Sequence, residues 1–366
     1  MKKSMSSFDR YYISPALVSD IEHRSECVPY YNAFYSDEQG GWCLSGAHLP
    51  IFVAPMACII DEHNYMKFDN EGLNPIIPRT VDFQKRLEIM KQMIWIAVGL
   101  DELDWIINNY EHFDSEVYIC VDIANGHMRK LLDKCKQAKL KFGQNLNLMA
   151  GNIANPYTYI EYAKAGIDYV RCTIGDGQAC ATADLTGISQ NTPEFINVVK
   201  KFKTSVTENF IENKEYLSIP KIIIDGGISK IRDIVIALAL GADYVMCGKI
   251  FAKSEEACGE IFEKLIPVTR EEICDTCIPK KINTITVSEW IPGRMYYGMS
   301  TQRAQKEMGN KRLKSSEGYE YWVPIEYKLS DWVKQFVNAI ASTMSYCNCT
   351  QLGEFIGKVT WLEYKK

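Results

Sequence analysis

The sequence contains no run of about 18 to 20 consecutive apolar residues, the length that a membrane-spanning helix requires. Its first eight residues also lack the apolar core of a secretory signal. We therefore expect neither insertion into a membrane nor export. The 13 cysteines are scattered along the chain, so they are predicted to be reduced thiols in the cytoplasm rather than a disulfide framework.

A large excess of one charge is absent as well. The formal net charge is only -5, and no arginine-rich or aromatic-interleaved segment is found. This composition excludes the electrostatic signature of a nucleic-acid or anionic-membrane partner. Cys274 and Cys277 have half of a zinc-site spacing, but no second pair lies at a suitable distance, so a chance pairing is the preferred interpretation.

What the sequence does contain is eight short apolar runs that alternate with segments of helical periodicity. The predicted strands are residues 51–54, 74–77, 93–98, 117–123, 146–150, 168–172, 221–224 and 243–247, and the clearest predicted helices are 128–138, 156–165 and 230–240. Eight such units are what an α/β fold of the (β/α)8 TIM-barrel type requires. The alternative, a doubly wound sheet, lacks its Gly-x-Gly-x-x-Gly motif at the first turn.

The remaining segments are predicted to decorate one domain. We expect an N-terminal arm over residues 1–48 and a single barrel catalytic domain over 49–366. Within the latter, 267–295 is a mixed and polar excursion, about 301–321 is a charged flap over the active site, and 329–344 is an amphipathic closing helix.

A glycine-rich loop that ends on a cysteine follows the sixth predicted strand. Gly175 and Gly177 permit positive-φ turns, and Cys180 then sits among converging N–H groups that favour a thiolate. Thr182 places a hydroxyl two residues further on. Cys180 is therefore a candidate nucleophile, and the alternative is a buried cysteine that acts as a small hydrophobe.

Other polar clusters also follow predicted strands, where barrel enzymes place their active sites. Asp122 follows the fourth strand, Asp225 and two glycines follow the seventh, and Gly248 with Lys249 follows the eighth. The last two clusters occupy the usual phosphate site of such barrels. The alternatives are a strand-end cap for Asp122 and a turn former for Asp225.

Several of these motifs, in this order, resemble the IMP dehydrogenase/GMP reductase family. They are residues 149–152, 165–170, 175–182, 224–228, 241–248, 296–300 and 316–318, and the resemblance covers about residues 50 to 355. It implies a TIM barrel, a homotetramer and a purine nucleotide as ligand. It further implies attack of the Cys180 thiol on C2 of the purine.

The resemblance also implies roles for individual residues. The catalytic set is Cys180, Thr182, Glu317 and Asp122. The substrate set is Asp225, Gly226, Gly227, Gly248, Lys249, Tyr296, Met299, Ser300, Lys314 and Gln178. The cofactor set for NADPH is Asp122, Asn125, Arg79, Ser342 and Tyr346, the last two completing a neighbour's site, and carbonyls of Gly175, Gly177 and Cys180 would hold K+.

Two features favour a GMP-reductase-like enzyme, which reductively deaminates GMP or a variant such as dGMP, over an IMP dehydrogenase. Residues 79–92 leave no space for the regulatory insertion of the dehydrogenases, and residues 301–316 contain no Arg-Tyr pair. An IMP dehydrogenase without regulatory domains and a catalytically altered nucleotide-binding paralogue remain open.

Four departures from the family pattern bear on ligand identity. Gln178 replaces a serine that touches phosphate, and Lys249 replaces a glycine or serine. Pro78-Arg79 replaces a His-Lys pair, and Ala57-Cys58 replaces Asp-Thr. The amide of Gln178 would crowd the usual phosphate, whereas the ammonium of Lys249 would add a charge-assisted bond.

Overall fold

The structure is a computed structural model that describes residues 7–36, 41–43, 46–177, 179–274, 281–309, 312–313, 315–316 and 318–364. Its strands are β1 (Tyr11–Ile13), β2 (Phe34–Ser36), β3 (Gly41–Cys43), β4 (Ile51–Val53), β5 (Asn74–Ile77), β6 (Trp95–Val98), β7 (Val117–Asp122), β8 (Leu146–Ile153), β9 (Tyr169–Cys172), β10 (Lys221–Asp225), β11 (Tyr244–Cys247), β12 (Ile261–Cys274), β13 (Lys281–Tyr297), β14 (Glu320–Pro324) and β15 (Trp361–Glu363). Its α-helices are α1 (Tyr65–Asp69), α2 (Phe83–Met90), α3 (Leu100–Asn109), α4 (Arg129–Phe142), α5 (Thr158–Ala165), α6 (Thr182–Thr186), α7 (Thr192–Asn209), α8 (Ile231–Leu240), α9 (Lys249–Ala252), α10 (Gln302–Glu307), α11 (Leu329–Tyr346) and α12 (Leu352–Phe355).

Strands β4 to β11 close into a parallel barrel in the order β10-β11-β4-β5-β6-β7-β8-β9. All eight predicted strands are therefore confirmed, and so is the (β/α)8 fold class. Their sequence signal was strong because parallel barrel strands are covered on both faces and read as continuous apolar runs. Every residue of β6 and of β11 is buried, for example.

The predicted helices are confirmed as α4, α5 and α8, and the closing helix as α11. Their ends follow local chemistry. α5 stops at Gly166, whose φ of 78° is the left-handed conformation that glycine adopts readily at a helix C-terminus. α2 begins after Asp82, whose carboxylate accepts from the backbone N–H groups of Gln84 and Lys85.

The excursion after β11 contains a feature that the sequence did not predict. β12 and β13 form a long antiparallel ribbon, with Ile261 opposite Arg294 at one end and Cys274 opposite Lys281 at the other. β14 then adds to the base of β13. The ribbon escaped prediction because its composition is mixed and, in residues 261–269, most side chains are exposed, so burial imposes no regular apolar alternation there.

The N-terminal segment packs along the barrel. Tyr11 is buried on β1, which pairs antiparallel with β15. The Arg232 guanidinium of α8 donates to the carbonyl oxygens of Phe8 and Tyr11. The predicted boundary at residue 48 stays a prediction. In the described part of the chain, no helix has the length and apolar character needed to cross a bilayer.

Candidate active site

The carboxyl ends of the barrel strands surround a cavity of about 240 Å³. Most of the residues that the sequence singled out line it. These are Asp122, Gly175, Gly177, Cys180, Thr182, Asp225, Gly226, Gly227, Gly248, Lys249, Tyr296, Met299 and Ser300. Residues separated by up to 178 positions along the chain thus meet in one place, as the barrel topology requires.

The cysteine loop presents its thiol beside a hydroxyl. Gly175 adopts a φ of 86°, and a Cβ there would lie 2.8 Å from the Cβ of Ala183. The backbone N–H of Cys180 donates to the Gly177 carbonyl over 2.8 Å, which closes a tight turn. The Cys180 Sγ is consequently 3.2 Å from the Thr182 Oγ1, at the start of α6. A nucleophile and a proton carrier are held within hydrogen-bonding reach.

The segment predicted as the flap joins the cysteine loop through its backbone. Cys180 and Gly318 form an isolated antiparallel bridge, and the Tyr319 N–H donates to the Ala179 carbonyl over 3.0 Å. The Tyr319 hydroxyl also donates to the Asp184 Oδ2 over 2.8 Å. Part of the predicted flap therefore lies directly against the candidate nucleophile.

An arginine that the sequence analysis gave no role bridges two cavity carboxylates. Arg171 Nη1 lies 2.5 Å from the Asp122 Oδ1, and its Nη2 and Nε lie 2.7 and 3.0 Å from the Asp225 Oδ2. The Asn152 amide donates to the same Asp225 oxygen over 2.8 Å. Burial opposes the charge of Arg171, yet the two carboxylates hold its pKa well above the usual arginine value.

The bridge spans three separate strands. Asp122 ends β7, Arg171 lies in β9 and Asp225 ends β10. Strands β7, β8, β9 and β10 are successive neighbours in the barrel, so the three side chains meet only through the pairing of strands that are distant in sequence, and no local sequence signal could have found the contact. Because the three donors all reach Oδ2, the other carboxylate oxygen of Asp225 is left to accept from a ligand.

Thr173, which follows β9, is held in an unusual backbone conformation. Its φ is 86°, which a β-branched residue rarely adopts. Three hydrogen bonds fix it: its N–H donates to the Ile153 carbonyl, its hydroxyl donates to the Asp225 carbonyl, and its own carbonyl accepts from the Asn152 amide. Strain of this kind persists where the surroundings over-determine the backbone, commonly at functional sites.

The other side of the cavity is built from small residues and one cation. A Cβ at Gly248 would lie 2.8 Å from the Tyr296 hydroxyl and 2.9 Å from the Met56 Sδ, so only glycine fits without displacement. The Lys249 ammonium lies 5.0 Å from the centroid of the Tyr321 ring. Burial, helped by Lys253, lowers the pKa of Lys249 below the usual lysine value. An anion bound here would lie beside the backbone of Gly248, which carries no side chain of its own, and beside the Lys249 ammonium.

Four predicted cofactor residues do not line the cavity. Arg79 forms an ion pair with Glu102 over 3.5 Å. The Asn125 Oδ1 accepts from the His127 N–H in a local turn. Ser342 and Tyr346 lie along a groove between α11 and the N-terminal segment. Gln178, Cys277, Lys314 and Glu317 fall outside the described residues.

The predicted potassium site stays a prediction. The Gly177 carbonyl already accepts from Cys180, which leaves one of its two lone pairs for a cation. Elsewhere in the described ranges, no group of three or more histidine, cysteine, aspartate or glutamate side chains could hold a metal ion.

The fold and this cavity define a (β/α)8 barrel protein with an open cavity at the carboxyl ends of its strands. Residues 97–266 match the family model described as "IMP dehydrogenase / GMP reductase domain". Over these 170 residues the chain carries an IMP dehydrogenase / GMP reductase domain.

Individual relatives include both kinds of enzyme. The chain is 27% identical over 268 residues to GMP reductase 2 of Homo sapiens, covering 73% of this chain and 66% of that protein. It is 30% identical over 236 residues to an inosine-5'-monophosphate dehydrogenase of Chlorobaculum tepidum, covering 64% of this chain and 43% of the relative. It is 26% identical over 255 residues to GMP reductase of Photobacterium profundum, covering 68% and 62%. The chain thus spans about two thirds or less of these relatives.

Proposed function

We propose that the protein is a GMP-reductase-like enzyme that converts a guanine nucleotide and NADPH into the hypoxanthine nucleotide, ammonia and NADP+. The observation that carries the proposal is the Cys180 thiol beside the Thr182 hydroxyl, in a cavity that also contains the Asp225 carboxylate. This combination provides a nucleophile, a proton carrier and an acceptor for ribose hydroxyls.

The nucleotide is oriented by the two ends of the cavity. The ribose hydroxyls donate to the Asp225 oxygen that Arg171 and Asn152 do not use. The phosphate lies against Gly227 and Gly248, with the Lys249 ammonium as its charge partner. The purine then extends towards the thiol.

The chemistry follows as addition and expulsion. The Cys180 sulfur forms a bond to C2, and its proton passes to the purine ring. The C2–amine bond breaks as the amine takes up a proton through Thr182, so ammonia leaves and a thioimidate remains. A nicotinamide cofactor held beside Asp122 would supply the hydride that takes the place of sulfur at C2, and Cys180 would then be released as the free thiol. Glu317, the family partner of Thr182, belongs to this proposal through the resemblance.

The residues on the Asp122 side fit a nicotinamide cofactor in part. Asp122 lines the cavity and is fixed in place by Arg171, so a polar group is pre-positioned beside the reacting centre. Ser342 and Tyr346 lie elsewhere, which agrees with a cofactor site that a second subunit completes. A homotetramer, NADPH as the particular cofactor and a requirement for K+ are all part of the proposal.

The short connection between β5 and β6 favours the reductase over the dehydrogenase. It consists of a turn, the eight-residue helix α2 and a second turn, so no regulatory domain is inserted there. An IMP dehydrogenase without regulatory domains is the second candidate, because relatives of both kinds match the chain.

The test is to follow NADPH absorbance with GMP, dGMP, GDP and GTP while ammonia is assayed in parallel. We expect nucleotide-dependent NADPH loss with a matching yield of ammonia. Cys180→Ala should abolish turnover and retain nucleotide binding, whereas Cys347→Ala, at a half-buried cysteine away from the cavity, should leave turnover unchanged. NADH formed from IMP and NAD+, with no ammonia from any guanine nucleotide, would replace the proposal with the dehydrogenase.

A further inference from the structure

A second and larger cavity, of about 630 Å³, opens at the amino-terminal end of the barrel strands. Each of the eight barrel strands contributes to its wall from its first or second residue. Five of these residues are aromatic: Phe52, Trp95, Tyr118, Tyr169 and Tyr244. We call this space the amino-terminal cavity. Its volume lies in the range of about 300 to 1,000 Å³ that is typical of small-ligand sites.

Lys221, the first residue of β10, is the one cationic side chain among the described residues that line this cavity, apart from the titratable His48. Its ammonium lies 5.3 Å from the ring centroid of Tyr169 and 5.6 Å from those of Tyr31 and Tyr244. The rings stabilise the charge through their π faces and leave the N–H donors available.

Two carboxylates, those of Asp243 and Asp168, act electrostatically on Lys221, but each already forms an ion pair with another lysine. Asp243 is bound by Lys203, and Asp168 by Lys139 over 2.8 Å. Within the described part of the chain, Lys221 therefore has no ion-pair partner. A half-buried ammonium without an anion is costly, and burial accordingly lowers its pKa.

The other titratable groups of the wall do not supply the missing anion. Burial and the charge of Lys221 lower the pKa of His48 to about 4, so this imidazole is neutral near pH 7. Glu116 is exposed, and its carboxylate accepts from the Tyr118 hydroxyl and the Asn147 amide. Asp69 is half-buried, which raises the pKa of its carboxyl.

We propose that the amino-terminal cavity binds a small aromatic monoanion, whose acid group pairs with Lys221 and whose ring packs against the aromatic wall. The acid group satisfies the donors of an ammonium that Asp243 and Asp168 influence only from a distance and that forms no ion pair within the described residues. The ring lies beside Trp95 and Tyr118, whose own rings pack 5.1 Å apart in a tilted arrangement at an angle of 57°. This site is at the opposite end of the barrel from the cysteine, so its ligand does not compete with the nucleotide.

Benzoate, benzyl alcohol and benzylammonium are matched probes of this proposal. Calorimetry on the full chain should show benzoate binding more tightly than either of the other two. Lys221→Met should weaken benzoate binding about tenfold or more, as expected for one charge-assisted hydrogen bond. Lys67→Met, at an exposed lysine on α1, should leave it unchanged.

A second measurement needs no variant and locates the site. Reductive methylation of the unaltered protein, followed by peptide mapping, should modify Lys221 more slowly when benzoate is present. Saturating GMP should not remove this protection. Equal affinity for benzoate and benzyl alcohol, or methylation of Lys221 at the same rate with and without benzoate, would overturn the proposal.

Discussion

Replacing Arg171 tests whether the carboxylate bridge organises the site. In Arg171→Met a side chain of similar length remains, but the cation between Asp122 and Asp225 is lost. The side chains of the two aspartates are only 16% and 18% exposed, so water cannot fully replace the guanidinium. Removing one partner of a buried ion pair costs about 3 to 5 kcal/mol. We expect Arg171→Met to lower the free energy of unfolding by about that amount.

Arg171→Lys separates charge from geometry. A lysine keeps the cation, but its single nitrogen cannot reproduce the fork that reaches both carboxylates. We expect this variant to lose about 1.5 to 3 kcal/mol, the value of one charge-assisted hydrogen bond. Its kcat/KM should nevertheless fall more than tenfold, because Asp122 and Asp225 are no longer fixed together.

Urea unfolding monitored by circular dichroism measures the first effect, and NADPH consumption with GMP measures the second. A loss below about 1 kcal/mol in Arg171→Met would refute the reasoning, since surface ion pairs contribute amounts of that size. Full activity in Arg171→Lys would show that the bridge contributes charge alone.

Three further changes test other parts of the cavity. Thr182→Val should reduce kcat about 100-fold with nucleotide affinity retained, whereas Thr182→Ser, which keeps a hydroxyl, should retain most of the kcat of the unaltered enzyme. Equal kcat values for Thr182→Val and the unaltered enzyme would show that the hydroxyl is not on the proton path. Gly248→Ala should raise the KM for nucleotide about tenfold, because its Cβ would meet Tyr296 and Met56, and an unchanged KM would contradict the crowding. Lys249→Met should also raise KM. The pKa of Lys249 is lowered, so its ammonium is charged at neutral pH and loses its proton at a pH below the usual lysine pKa. The ammonium's contribution to nucleotide binding is therefore lost as the pH rises through that value. KM should increase with pH in the unaltered enzyme and not in Lys249→Met.

The barrel could be predicted from sequence because its strands carry their own signal. Ile76, Ile77, Ile96 and Val98 are almost completely buried, and such runs recur at the spacing of β/α units. The β12–β13 ribbon carries no comparable signal. Trp290 and Leu265 face each other across the ribbon yet are 64% and 49% exposed, so burial imposes no apolar alternation around this pair.

The candidate site divides in a similar way. Cys180, Thr182 and the glycines lie in one short loop, so neighbours in sequence remain neighbours in space. Arg171 lies close to this loop in the sequence, but its partners Asp122 and Asp225 are 49 and 54 residues away, so the sequence did not reveal the bridge. Their meeting depends on the side-by-side pairing of β7 to β10, which no local pattern encodes.

The bridge between Cys180 and Gly318 has a consequence for how the thiol can be studied. Since the flap and the cysteine loop share backbone contacts, displacement of one alters the surroundings of the other. The reactivity of the thiol therefore depends on where this part of the predicted flap lies. The rate at which an alkylating reagent modifies Cys180 in the unliganded protein, read by peptide mapping against the remaining cysteines, therefore reports how closely Gly318 and Tyr319 cover the thiol.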